Sequence, residues 1–315
     1  MRLDPNSILP ANLLLPQYDR STQKAGIVHF GIGAFHRAHQ AAYTDAAMNA
    51  GERDWGIIGV SLRSPAVAEH LNPQDRLYSV TERSENGYKS RIIAAVQKVL
   101  VAADAPDAVV AALASADTHI VSFTITEKGY CRAPDGSLDF TQADERSAYA
   151  YLAAAMRQRQ AEKLGGLTLL SCDNLANNGA QLAELMRAYL QRCAPGLLHW
   201  FEDQCCCPST MVDRIVPATT DNDRQSIAAN LGALDQAAVV TEPFTQWVIE
   251  DDFAGKRPGW EIGGAQFTKD VVPFETAKLR MLNGAHSALA YIGLQRGHAF
   301  VHQAIADPYI MALGN

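Results

Sequence analysis

The apolar positions of the chain begin with a short unbroken run. Gly26-Ile-Val-His-Phe-Gly-Ile-Gly33 has the length of a buried strand and ends in two glycines, and helical spacing follows over residues 34–48. A second run, Trp55-Gly-Ile-Ile-Gly-Val-Ser-Leu62, arrives after a Gly-Glu-Arg-Asp loop. Strand, helix and strand make a βαβ unit, which requires parallel pairing. Further strands are predicted at 77–81, 91–96, 119–124 and 167–171, and helices at 105–116, 147–161 and 179–193. This alternation predicts an α/β fold with a doubly wound, Rossmann-type, mostly parallel sheet. Residues 239–267 read as irregular chain or short strands, and from Glu275 the pattern turns helical nearly to the end. The expected organisation is a dinucleotide-binding domain over 1–274 and the beginning of an α-helical substrate domain over 275–315. About 40 residues are too few for an independent domain of usual size. The chain is therefore expected to be a shortened form of something longer.

Composition narrows the class. Apolar residues make up 48% of the 315, enough for a large core, which excludes disordered and fibrous proteins. Twenty-seven Lys plus Arg against 34 Asp plus Glu give a net charge of −7, the wrong sign for a general nucleic-acid binder. Cys131, Cys172, Cys193 and the run Cys205-Cys206-Cys207 fit neither a zinc knuckle nor a disulfide framework, and are read as reduced thiols. The first residues lack a basic head followed by an apolar stretch, and no segment approaches a membrane span. A cytoplasmic protein with no membrane partner is expected.

Candidate chemistry starts at Gly31-Ile32-Gly33. Between a strand and a helix, two glycines let the backbone turn tightly and approach a pyrophosphate, whose charge meets the N–H groups of the helix start. The third glycine of the full fingerprint is replaced by His36, and Arg37 is expected to add a cation near the phosphates. An acidic residue after the second strand would select NAD, but Arg63-Ser-Pro-Ala stands there. Arg63 could instead contact a 2′-phosphate, so NAD is expected with NADP left open.

A second group of polar residues lies in Glu275-Thr-Ala-Lys278-Leu-Arg-Met-Leu-Asn283-Gly-Ala-His286. On a regular α-helix Glu275, Lys278, Asn283 and His286 fall within an arc of about 140°. Burial on that face would favour a neutral lysine able to act as a general base toward an alcohol. Ser171-Cys-Asp-Asn174, at a predicted strand end, and Thr210-Met-Val-Asp213 supply further polar groups. Ligands of doubly wound sheets bind at such strand ends.

These segments, together with Thr126-Glu-Lys-Gly-Tyr-Cys131 and Met211-Val-Asp-Arg-Ile215, resemble the mannitol dehydrogenase family, the polyol-specific long-chain dehydrogenases. The resemblance runs from Gly26 to Pro308 and implies a metal-free, nicotinamide-dependent oxidoreductase. It implies that Lys278 is the general acid/base, that Asn174 and Asn283 bond the reacting oxygen, and that His286 orients substrate. It further implies that Asp213 helps hold the lysine and that Glu275 lies on the proton route to solvent. Gly31, Ile32, Gly33, Ala34, Phe35, Arg37, Arg63 and Glu127 would bind the cofactor. Within the family, residues 126–131, 271–275 and 278–283 look closest to the D-mannonate oxidoreductase, or fructuronate reductase, branch. That branch would interconvert a keto-hexuronate and an aldonate, with Lys128 near the substrate carboxylate. A mannitol 2-dehydrogenase is the alternative within the class, and a cofactor-binding remnant without catalysis the alternative outside it. Family members are longer than this chain, with a complete helical domain. The oligomeric state is left open.

Overall fold

The structure, a computed structural model, describes residues 1–85 and 87–313. It divides into two compact units, Met1–Lys269 and Asp270–Asn315.

The strands of the first unit are β1 (Ile27–Phe30), β2 (Ile57–Ser61), β3 (Tyr78–Ser84), β4 (Gly87–Ile93), β5 (Val96–Val101), β6 (Ile120–Phe123), β7 (Thr168–Ser171), β8 (Thr210–Asp213), β9 (Val239–Thr241), β10 (Gln246–Glu250) and β11 (Gln266–Thr268). The central sheet has the order β5-β2-β1-β6-β7, and every pair in it is parallel. Its central strands β1 and β6 are buried at every position because both faces are covered. Ile27, Ile57 and Ile120 point into one core. Val28, Phe30, Val121 and Phe123 point into the other, against Leu113, Met156 and Met186 of the helices Pro106–Ala114, Ala148–Ala161 and Asn178–Cys193. From β1 the chain builds outward through β2 to β5, then returns to β6 on the other side of β1. The strand order therefore reverses beside β1, and the crevice at the carboxyl ends there is where such sheets bind ligands.

The alternation rule misplaces two strands. β3 and β4 form an antiparallel hairpin, Tyr78 opposite Ile93, in a separate sheet of order β4-β3-β9. β8, β10 and β11 form another small sheet.

The helix expected over 34–48 is broken. Helix α1 (Ala34–Ala38) and helix α2 (Gln40–Asn49) meet at His39, whose φ of −107° and ψ of −99° are not helical. Side chains from elsewhere take the carbonyls at the end of α1: Tyr78 Oη donates to Arg37 O at 2.8 Å and Arg214 Nη1 donates to Ala38 O. The backbone bonds that would continue the helix are thereby replaced.

The second unit begins with Val272–Ala277 as α-helix, continues as a π-helical stretch over Lys278–Asn283, and returns to α-helix over Gly284–Gln295. Two short helices follow, Val301–Ile305 and Pro308–Leu313. Gly293 lets the long helix lie close to the next one, since a Cβ there would come within 2.8 Å of Ala304 Cβ. Asp307 accepts from Arg296 Nε at 2.7 Å and meets His298 Nε2 at 2.9 Å, pinning the last turn. Among the described residues no helix is long and apolar enough to cross a membrane.

Candidate active site

The turn after β1 is held by its backbone. Gly31 donates to Val60 O at 2.9 Å, and its own carbonyl accepts from Gly33 N at 2.6 Å and Thr124 Oγ1 at 2.7 Å. With φ at +94°, Gly31 lies where other residues are strained, and a Cβ would stand 2.1 Å from Thr124 O. Ile32 is buried and closes the turn from beneath: its Cδ1 fills the space that a Cβ on Gly59 of β2 would take, at 2.1 Å. Behind the turn, His29 contacts Ser122 Oγ at 2.8 Å and Thr124 Oγ1 at 2.9 Å through its two ring nitrogens. Burial pushes the His29 pKa down to about 3, so the ring is neutral and serves as a rigid polar strut.

Gly33 differs from Gly31. It is exposed, caps α1 with an ordinary φ of −77°, and a Cβ would meet only Gly31 O at 3.8 Å. Nothing among the described residues demands a glycine there. A pyrophosphate lying against the backbone would, so the turn fits a dinucleotide.

Beside the turn lies a cavity of about 340 Å³ at the carboxyl ends of β1, β2 and β6, lined among others by Gly31, Ser61, Arg63, Thr126, Lys128 and Cys131. Asp144 and Arg146 also line it. The wall thus carries three cations and one carboxylate, in a chain whose net charge is negative.

The structure brings Gly31 and Arg63 into this wall and leaves Arg37 out of it. Arg37 is buried, its guanidinium donating to Ala237 O and lying 5.5 Å from the Tyr78 ring centre. A guanidinium suits a buried carbonyl as well as a phosphate, and the residue type alone does not tell them apart. Ala34 and Phe35 are half-buried at the start of α1, with Phe35 stacked on His39 at 4.9 Å. Glu127 is exposed on the short turn Thr126–Gly129, between two residues of the cavity wall.

Asn174 lies exposed three residues beyond the end of β7, and Asp213 is the half-buried last residue of β8. Buried Asn178 joins the two segments: its Nδ2 donates to Asp173 O at 3.0 Å and to Thr210 O at 2.9 Å, and its Oδ1 accepts from Thr210 N at 2.9 Å. The sequence reading passed over Asn178. Its signal, a third asparagine in Asn174-Leu-Ala-Asn-Asn178, is shared with any loop.

Glu275, Lys278 and Asn283 are half-buried and His286 is exposed, all on the first long helical segment of the second unit. The α-helical arc is corrected by the π turn. At ~100° per residue Lys278 and Asn283 would mark its two edges, about 140° apart. In a π-helix the i→i+5 bond stacks residues five apart, so these two draw toward one face.

The chain matches the mannitol dehydrogenase Rossmann domain over residues 25–262 and the mannitol dehydrogenase C-terminal domain over residues 270–314. The chain belongs to the mannitol dehydrogenase family. Two relatives in that family are the D-mannonate oxidoreductase of Escherichia coli K12, 41% identical over 96% of this chain, and the mannitol 2-dehydrogenase of Aspergillus terreus, 41% identical over 93%. The matches cover 66% and 62% of those proteins, so this chain spans somewhat less than two thirds of their length. Among solved structures, Pseudomonas fluorescens mannitol 2-dehydrogenase in ternary complex with NAD and D-mannitol superposes with a TM-score of 0.89 at 39% identity. That superposition covers all of this chain and 67% of the other. The parallel sheet and the helical segment after it thus follow the pattern of the family.

Proposed function

We propose that this chain carries the cofactor-binding and acid/base residues of an NAD-dependent oxidoreductase that interconverts a keto-hexuronate, such as fructuronate, with an aldonate, such as mannonate. The observation that carries the reading is the glycine turn at the strand-order reversal, with Gly33 left open where a pyrophosphate would lie. The relatives support it, being a D-mannonate oxidoreductase and a mannitol 2-dehydrogenase, with NAD bound in the solved relative.

When bound, NAD accepts or returns the hydride of the carbinol carbon. In this reading Lys278 takes the hydroxyl proton at its Nζ or returns it, in place of a metal. The amides of Asn174 and Asn283 donate to the oxygen as it gains negative charge, each worth about 3 kcal/mol in such a role. By the family resemblance, His286 would orient the substrate, Asp213 would help hold the lysine, and Glu275 would sit on the proton route to solvent. Turnover with fructuronate or mannonate tests the reading directly. Activity on fructose and mannitol alone would replace it with mannitol 2-dehydrogenase, which the solved relative's D-mannitol favours.

Lys128, exposed in the cavity wall, separates the two substrate classes. A hexuronate carboxylate gains a charge-assisted contact from it that fructose cannot make. Lys128→Ala is expected to lower kcat/KM for fructuronate about tenfold and for fructose less than twofold. Equal losses on both substrates would remove Lys128 from carboxylate recognition.

Arg63 bears on the cofactor. It lies two residues beyond the end of β2, where a carboxylate would bond the ribose hydroxyls and repel a 2′-phosphate. The site is therefore expected to accept NADP alongside NAD. Arg63→Ala should weaken NADP binding about tenfold and leave NAD within about twofold, read by fluorescence titration of the reduced cofactors.

A further inference from the structure

We infer that Asp173, which has no role in the reading above, is a positioning residue that fixes the cofactor-side wall formed by Thr124, Ile125, Thr126, Lys128, Gly129 and Cys131 and ties it to the strand end bearing Asn174. The inference rests on that reading for what the wall binds, and on the structure for what holds it.

Six residues of the cavity wall come from the single loop after β6: Thr124, Ile125, Thr126, Lys128, Gly129 and Cys131. This loop turns sharply. Thr126 has φ at +61°, a left-handed conformation that costs a β-branched residue and persists only where its surroundings impose it. Asp173 supplies the constraint. Its Oδ2 accepts from Ile125 N at 2.9 Å and its Oδ1 from Thr126 N at 3.1 Å, so one carboxylate clamps both amides at the strained point.

The other end of the loop returns to the same side chain. Tyr130 is buried, and its hydroxyl donates to Asp173 Oδ2 at 2.9 Å while lying 2.6 Å from Ser171 Oγ. Asp173, two residues beyond the end of β7, thus receives three donors spread across the loop. Its own carbonyl accepts from Asn178 Nδ2, the residue that binds this segment to β8. Asp173 precedes Asn174 directly, so the hold on the wall and the placement of the Asn174 amide share one backbone segment.

A carboxylate is the side chain that this geometry asks for. Two amide N–H groups and a phenol all point donors at it, and an ionised carboxylate is acceptor-only with room for all three. Asparagine keeps the shape but turns an NH2 group toward at least one donor. Burial pushes the Asp173 pKa above the usual carboxylate value, and the three donors offset only part of that rise.

The test compares Asp173→Asn with Tyr130→Phe in the chain as it stands. Hydrogen exchange of peptides spanning residues 120–131 reads the hold on the loop, and NADH fluorescence titration reads the wall. In Asp173→Asn, exchange in this stretch is expected to accelerate about tenfold or more, and the NADH dissociation constant to rise about tenfold. Tyr130→Phe removes one donor but leaves the clamp on Ile125 and Thr126, so its dissociation constant should stay within about twofold. Unchanged exchange in Asp173→Asn would overturn the inference. So would equal weakening of NADH in both variants, which would mark a general loss of packing. Failure of the unaltered chain to bind NADH would sink the functional reading and the cofactor part of this inference, while the exchange comparison, made without ligand, would still decide whether Asp173 holds the loop.

Discussion

Replacing Lys278 with alanine is expected to lower kcat/KM for the hexuronate reaction about 10³-fold, the range lost when a general acid/base is removed. The dissociation constant for NADH should change less than twofold, because in the proposed mechanism the Lys278 amine meets the substrate hydroxyl and not the cofactor. The side chain is half-buried, so shortening it leaves little void and the second unit should keep its helical signal. Small primary amines added to Lys278→Ala should restore part of the rate in proportion to their concentration. A structural lysine would show no such rescue. Turnover within tenfold of the unaltered chain, with no response to amines, would remove Lys278 from the proton transfer and with it the proposed mechanism. The π turn adds a finer expectation: it draws Lys278 and Asn283 toward one face, so, if the proposed roles hold, Asn283→Ala should lower kcat while leaving the NADH dissociation constant intact.

What the sequence disclosed follows the reach of the forces involved. The strand, glycine turn and following helix were legible because Ile27 to Phe30 are buried on both faces and Gly31 must take a positive φ, and both demands act on neighbouring residues. The hairpin of β3 and β4 was misread as part of the alternation. Its cue, Asn86-Gly87 between two runs of strand character, is a local turn signal that the wider α/β rhythm overrode. The break at His39 was hidden because Tyr78 and Arg214, which take the carbonyls of α1, lie 41 and 176 residues away from them. Lys278, Asn283 and His286 stand out as residues, but an α-helical arc does not describe the face they share. Hydrophobic spacing over six residues does not separate an α turn from a π turn. Asp173 stood in the motif read for its neighbour Asn174. Its importance comes from amides 47 and 48 positions back along the chain, and no local pattern encodes that distance.

The two glycines of the turn provide the sharpest separation of folding from binding. Gly31→Ala places a methyl group 2.1 Å from Thr124 O, and that oxygen belongs to backbone held in register by the bond from Thr124 N to Phe30 O at 2.9 Å. The neighbour cannot yield without parting β1 from β6. Adding the cost of a left-handed alanine to that of overpacking gives about 3 kcal/mol. For a unit of this size the melting temperature should fall by roughly 6–12 °C. Gly33→Ala meets only ordinary contact at 3.8 Å with φ already negative, so its melting temperature should match the unaltered chain. NADH binding should nonetheless weaken tenfold or more, because the added methyl occupies the surface on which the pyrophosphate rests. Thermal melts and NADH titrations of the two variants, side by side, read both quantities. A Gly33→Ala chain that binds NADH as tightly as the original would mean that the pyrophosphate does not lie on this turn, however well the rest of the fold suits it.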